Sequence, residues 1–231
     1  MDNRYFFTQI ENGKVIIKSG EAQHLSRVRR AKVGDKIIAF NGDGFDYHLQ
    51  IESITKDEVA CNIINKQTNK AFSDKKIVVY LSMIKNEALT EAIDCLAELN
   101  VKQVKLFKSD YSVAVIDDKK LDKLRNIAIQ ASKQCERADV MQISIINKKE
   151  IENDCKTMKN VFFAYEDSTN GITKFDGDFA VIIGPEGGFS EQENQHFSTF
   201  AQNISLSKTI LRAQVACVCA VSALKAVSNE S

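Results

Sequence analysis

The stretch Phe179-Ala180-Val181-Ile182-Ile183-Gly184-Pro185-Glu186-Gly187-Gly188-Phe189-Ser190 decides how the rest of the sequence is read. Five apolar residues without alternation suit a strand covered on both faces, as in a parallel sheet. A glycine-rich loop follows, and then Ser190-Glu191-Gln192-Glu193 with the spacing of a helix capping box. Open α/β sheets hold ligands at such places, beside the carboxyl ends of strands. Three of the ten glycines and the chain's only proline fall within Gly184–Gly188. The loop matches neither G-x-G-x-x-G nor G-x-x-x-x-G-K-[ST], so neither dinucleotide fingerprint nor P-loop is present. Its glycines would let backbone groups approach a flat, polar ligand closely. A plain β–α turn accounts for the same residues, and the capping box accounts for Ser190 and Glu193 without any ligand.

Around this stretch the chain alternates strands and helices from Ile77 onward. Ile77–Ile84 and Val161–Tyr165 are further apolar runs, and Val104–Phe107 is strand-like. Glu87–Leu99 carries Leu89, Ile93, Leu96 and Leu99 at helical spacing, and Leu121–Gln134 repeats the pattern. Ser190–Phe200 is a predicted helix, Asn203–Leu206 a strand, and a long last helix starts near Arg212. The alternation predicts an α/β domain with a mostly parallel sheet. Residues 1–70 read differently. Lys14–Lys18, Lys36–Asn41, Phe45–Glu52 and Glu58–Ile64 are short strands separated by Gly/Asp-rich turns, with a short helix over Gly20–Arg30. Closely spaced strands suggest a small barrel. Lys66–Lys76 is polar and reads as a linker, so the domain division falls at about residue 70, giving 1–70 and 71–231.

Two basic features stand out against a balanced charge of 31 Lys+Arg and 31 Asp+Glu in 231 residues. Only seven residues are Arg, and Arg27, Arg29 and Arg30 are three of them. With Lys32, Lys36 and the single acid Asp35 they form a local cationic excess suited to phosphate, which the Arg fork engages bidentately. A solvated helix face is the alternative. The second feature is Arg212, alone at the mouth of an otherwise apolar helix. It must find an acceptor or stay at a wet cleft. His24 and His48 lack the partners of a hydrolytic triad. The six cysteines show no metal-ligand spacing and are expected to be buried, reduced thiols. No metal is expected. The start lacks a signal-peptide layout, and no apolar run reaches the roughly 20 residues that span a bilayer, so a cytoplasmic protein without membrane attachment is expected.

Together these segments resemble the RsmE family of 16S ribosomal RNA uracil-N3 methyltransferases, within the trefoil-knotted SPOUT superfamily. Arg4-Tyr5-Phe6-Phe7 resembles the family's opening. His24-Leu25-x-x-Val28-x-Arg30, Gly34-Asp35 and the Asn41–Gly44 turn resemble its PUA-like barrel. Ile183–Ser190 is close to its most specific motif, Leu206-x-x-x-Ile210-Leu211-Arg212 follows its second cofactor loop, and Gln130-Ala131-Ser132-x-Gln134-x-x-Arg137 is similar to a further segment. The resemblance implies an α/β fold with an N-terminal PUA-like β-barrel and a C-terminal SPOUT domain holding a deep trefoil knot. It implies S-adenosyl-L-methionine as cofactor, held by Ala164, Tyr165, Glu166, Gly184, Pro185, Glu186, Gly187, Gly188, Leu206, Ser207, Ile210, Leu211, Arg212 and Ala213. Gly187 in particular is expected to lie where backbone meets the cofactor.

It further implies Arg212 as the catalytic residue with Gln214 in support, and RNA contacts by Arg4, His24, Arg27, Arg29, Arg30, Lys85, Gln134 and Arg137. The implied substrate is 16S ribosomal RNA in the assembled or nearly assembled small subunit, and the apolar last helix suggests a homodimer. Ser207 replaces the family's usual Gly and is expected to stiffen its loop. Gln214 replaces Glu, Val215 replaces Thr, and Gln130 stands where Glu is common. A ribose 2′-O-methylating knotted enzyme and a non-catalytic RNA-binding relative are the alternatives.

Overall fold

The computed structural model describes residues 4–229. The chain forms two compact units, one ending at Ser73 and taking in Ile129–Val140, the other comprising Asp74–Ala128 and the chain from Met141.

The first unit contains β1 (Arg4–Phe6), β2 (Gln9–Glu11), β3 (Lys14–Lys18), α1 (Ser19–Gln23), β4 (Lys36–Phe40), β5 (Phe45–Ile54) and β6 (Glu58–Thr68). One sheet in the order β1-β4-β5-β6-β3-β2 curls around Tyr5, Phe7, Val15, Ile17, Leu25, Leu49, Ile51 and Val59. Register shifts in the β5–β6 pair, at His48/Leu49 and Ile51/Ser53, add the local bend that a curled sheet needs. Strand β6 continues past Ile64 into the expected linker, pairing Lys66 with Tyr47 and Thr68 with Phe45. Its polar residues are tolerated because they face solvent. Lys66 also packs its ammonium 4.1 Å from the Phe45 ring centroid and 3.0 Å from Asp43 Oδ2.

The expected helix over Gly20–Arg30 is shorter and wider. After α1, Arg29 N–H donates to His24 O five residues back, and Ala31 N–H to Leu25 O. The turn ends at Arg30, whose φ of 53° is unusual for a residue with a side chain. Segment Ile129–Val140 carries a buried ion pair of its own and is fastened by Lys133 Nζ donating to Glu21 Oε1 at 2.8 Å and Asn69 Nδ2 donating to the Glu136 carbonyl at 3.0 Å. Arg137 makes a two-point bond to Asp139, with Nε–Oδ1 at 3.1 Å and Nη2–Oδ2 at 2.9 Å. Arg4 Nη2 donates to Asp46 Oδ1 at 2.7 Å and to the Arg137 carbonyl at 3.3 Å.

The second unit contains β7 (Ile77–Ser82), α2 (Asn86–Glu98), β8 (Gln103–Phe107), most of α3 (Asp118–Gln134), β9 (Gln142–Ile145), α4 (Ile151–Cys155), β10 (Asn160–Ala164), β11 (Phe175–Asp176), β12 (Phe179–Ile183), α5 (Glu191–Phe197), β13 (Gln202–Ile204), α6 (Ala213–Val227) and β14 (Ser228–Asn229). Six of these strands form one sheet, β13-β10-β12-β7-β8-β9, with every pair parallel. All of β7 and all of β12 are buried, as their unbroken apolar sequences predict. Strands β11 and β14 pair separately. Helix α6 buries Ala213, Cys217, Ala220, Val221 and Leu224, a helical stripe, and packs on α2 and β12.

Among the described residues the cysteines are free. Cys61, Cys155 and Cys217 are buried, the others half-buried. Burial pushes the Cys61 and Cys217 thiols up to about 12. No helix of the described residues is long and apolar enough to cross a membrane, and none of their acidic, His or Cys side chains cluster in a way that could hold a metal ion.

Candidate functional site

Strands β13, β10 and β12 are neighbours and parallel, so their carboxyl ends, Ile204, Ala164 and Ile183, emerge side by side. The three segments that follow line a single cleft of about 810 Å³, including the part open to solvent. Of the expected cofactor residues, Ala164, Tyr165, Glu166, Gly184, Pro185, Gly188, Leu206, Ser207, Ile210, Leu211 and Ala213 line it. Glu186, Gly187 and Arg212 do not. Ile183 and Phe189 of the glycine-loop motif line it too, as do Asn194, Ile204, Ser205, Lys208, Thr209 and Ala216, which no motif singled out.

The glycine loop is held from several sides. Gly188 N–H closes a turn onto Pro185 O at 3.0 Å with φ of 71°, and a Cβ there would come 3.3 Å from Glu166 Oε1. At Gly184 a Cβ would stand 2.9 Å from Cε2 of Phe189, closer than real Cβ atoms come. The demand for glycine therefore falls on 184 and 188. Gly187 faces Tyr111, whose Cβ would be 3.4 Å from an added Cβ. Glu186 turns away from the cleft and accepts Lys85 N–H at the start of α2, with Oε1 at 3.1 Å.

After the loop, Ser190 and Glu193 form the expected capping box. Glu193 Oε1 also accepts Asp110 N–H at 3.0 Å and Lys148 Nζ at 2.7 Å, while Asp110 accepts from Ser190 and Lys148 at 2.6 Å each. Hydrogen bonds from Lys148 and Ser190 hold the Asp110 carboxyl below its usual range. Burial alone would lower Lys148, but the hydrogen bonds it donates to Asp110 and Glu193 outweigh it and keep the ammonium charged above its ordinary value. In the second loop, Ser207 Oγ accepts Thr209 N–H at 3.1 Å.

Arg212 takes the N-cap position of α6 without capping it and is exposed. Its guanidinium makes no hydrogen bond or ion pair with the described residues. Gln214 donates from Nε2 to Glu91 Oε2 on α2 at 3.3 Å. Among the expected RNA contacts, Arg27, Arg29, Arg30, Lys85 and Gln134 are exposed, and His24 is half-buried. Arg4 and Arg137 depart from expectation. Both are buried, and their guanidinium groups are committed to Asp46 and Asp139, which a sequence scan for cations cannot reveal.

Comparison with known proteins gives this geometry a context. Residues 72–225 match the model of an RNA methyltransferase domain, and 17–64 that of an RNA methyltransferase PUA domain. The Ribosomal RNA small subunit methyltransferase E of Helicobacter pylori (strain J99) is 30% identical, with 84% of this chain and 87% of that protein aligned. Its namesake from Bacillus subtilis (strain 168) is 27% identical over 96% and 95%. The crystal structure of a Ribosomal RNA small subunit methyltransferase E from Neisseria gonorrhoeae, bound to S-adenosyl methionine, shares the fold at a TM-score of 0.86, with 22% identity over 97% of each chain. Since the methyltransferase model spans both cleft-forming loops and the Helicobacter relative aligns over most of its length, the chain belongs to the ribosomal RNA small subunit methyltransferase E family of RNA methyltransferases.

Proposed function

We propose that this protein uses S-adenosylmethionine to methylate N3 of a specific uridine in 16S ribosomal RNA of the assembled or nearly assembled small subunit, in the cytoplasm. The observation that carries the reading is the convergence of Ala164–Glu166, Ile183–Phe189 and Ile204–Ala213 on one cleft at adjacent strand ends. The residues suit the cofactor. Ile183, Ile204, Leu206, Leu211 and Ala216 offer an apolar slot for a flat ring. Glu166 offers a carboxylate to ribose hydroxyls, and Gly184 and Gly188 line the cleft without side chains. We also propose the family's deep trefoil knot. In its favour, β13 lies at the sheet edge beyond β10, whereas the next element, α6, returns to β12.

When bound, the cofactor supplies an electrophilic methyl on a sulfonium that leaves as a neutral thioether, so no acid is required for departure. The chain's task is then to align uracil N3 with that methyl, an orientation effect, and to ease loss of the N3 proton. Arg212, exposed and uncommitted beside the second cofactor loop, is the group we assign to stabilising the developing N3 anion. Gln214, bonded to Glu91, supports the first turn of α6. Arg27, Arg29 and Arg30, with His24, Lys85 and Gln134, are assigned to RNA. A homodimer through α6 is part of the proposal, supported by Val215, which stays 39% exposed on an apolar helix.

The test is mass spectrometry of small-subunit RNA from a strain lacking the gene. Loss of one N3-methyluridine, restored by the wild-type gene, is expected. Loss of a ribose 2′-O-methyl instead, or no loss, overturns the reading.

A further inference from the structure

The proton at uracil N3 lies on the edge used for base pairing, so methylation there requires the base to be unpaired and drawn from its stack. Enzymes that act on extruded bases offset the lost stacking with aromatic side chains. Tyr111 is the exposed aromatic of the second unit among the described residues, with 54% of its surface accessible. It stands beside the glycine loop, its Cβ 3.4 Å from where a Cβ on Gly187 would lie.

An exposed tyrosine on a mobile loop would mean little, but this one sits on a fastened turn. Ser112 N–H donates to Ser109 O at 3.1 Å. The hydroxyls of Ser82, Ser109 and Ser112 form a closed triangle with sides of 2.6, 2.8 and 2.9 Å. Asp110 is bonded through its N–H to Glu193 and through its carboxylate to Ser190 and Lys148. The backbone that carries the ring is thus tied to the same capping box that ends the glycine loop. Surroundings suit a nucleotide as well. Val113 and Val115 are 76% and 75% exposed, and Lys85 and Lys108 are exposed cations close in sequence to the elements concerned. Asp110, the acid nearest in sequence, has its charge matched by Lys148.

We propose that Tyr111 is a base-stacking residue of the RNA site, presenting its ring to an unpaired nucleobase of the substrate strand beside the glycine loop. The assignment rests on the methylation reading above and specifies how that site recognises its substrate.

The chain has no Trp, so Tyr111→Trp creates a single fluorescent reporter at the proposed contact. Its emission is expected to be quenched when small-subunit ribosomal RNA stripped of protein is added. Tyr111→Ala should raise KM for small subunits roughly 5- to 150-fold, the range for loss of one stacked base, with cofactor affinity by calorimetry unchanged. Tyr111→Phe should behave as wild type. Unquenched emission, an unchanged KM in Tyr111→Ala, or a parallel loss of cofactor affinity overturns the assignment. So does a change in oligomeric state of Tyr111→Ala by sedimentation, which would make the ring a contact between copies. If the wild-type chain methylates no small-subunit RNA, the functional reading fails on its own, while quenching still reports whether Tyr111 meets a base.

Discussion

Lys148 Nζ lies 2.7 Å from Glu193 Oε1, which ties the helix after the glycine loop to a residue 45 positions upstream. Glu193 is buried, its side chain 4% exposed, and Lys148 is the cation that balances it together with Asp110. Replacing Lys148 by Met leaves two carboxylates facing each other with one of them out of water. Removing one partner of a fully buried pair costs about 3–5 kcal/mol. Lys148 keeps partial exposure, so about 2 kcal/mol is expected, read as a lowered urea midpoint. Because Glu193 also closes the capping box, cofactor affinity should weaken in the same variant.

The same cluster sets part of the acid limit. Hydrogen bonds from Lys148 and Ser190 depress the Asp110 carboxyl in the folded state. A depressed group contributes stability that is fully present above its unfolded value, about 3.9, and is lost as pH falls through the folded value. Stability should therefore begin to decline below about pH 4 for this group. In Asp110→Asn that part of the decline should vanish, so that midpoints at neutral and acid pH lie closer together than in wild type. Equal pH slopes for the two proteins would assign the acid loss to other carboxylates.

Glycine variants should rank by geometry rather than by motif. Gly188→Ala forces a side chain onto φ of 71° and toward Glu166, a strain of about 1–2 kcal/mol. Gly184→Ala drives its Cβ into the Phe189 ring and should displace that wall of the cleft. Gly187→Ala meets only Tyr111 and should be the mildest. Calorimetric cofactor affinity is expected to fall clearly for 184 and 188 and little for 187. A Gly187 variant that is the worst of the three would mean the loop is read wrongly.

These cases show what could be read from the residues and what could not. β7 and β12 were legible because a strand covered on both faces leaves an unbroken apolar run, and the capping box at Ser190 because its chemistry is local. Arg27, Arg30, Arg4 and Arg137 look alike in a sequence poor in arginine. Only folding supplies Asp46 and Asp139, and with them the difference between a surface cation and a buried strut. The Asp110–Lys148–Glu193 cluster was invisible for the same reason, since its members come from three distant segments. Lys66–Thr68 misled because a polar strand at a solvent face has the composition of a linker.

That difference among arginines can be measured. Arg137→Met should deprive the buried Asp139 carboxylate of the Arg137 guanidinium and cost about 3 kcal/mol. Arg27→Ala, at an exposed site, should leave the urea midpoint within about 0.5 kcal/mol of wild type. On RNA the order reverses. Arg27→Ala should weaken binding uniformly across sequences and reduce the salt slope by about 1. Arg137→Met, assayed well below its melting temperature, should retain the wild-type slope. A lowered slope for Arg137→Met would place that side chain on RNA after all.

Arg212 offers the sharpest test of the proposed chemistry. Its side chain is exposed, pairs with no described residue, and follows Leu211 directly at the cleft wall. A lysine would keep the charge but lose the planar fork that spreads it over two donors. If the guanidinium stabilises the N3 anion, Arg212→Lys should bind cofactor nearly as wild type yet transfer methyl about 100- to 1000-fold more slowly, the usual loss for a positioned electrostatic donor. The deficit should shrink as pH rises, because N3 then ionises with less help. Single-turnover rates measured from neutral to alkaline pH, beside calorimetric cofactor affinity, separate the possibilities. An Arg212→Lys enzyme that keeps full rate at neutral pH, or that loses rate only in step with cofactor affinity, would make Arg212 a structural N-cap residue and move the anion-stabilising role elsewhere.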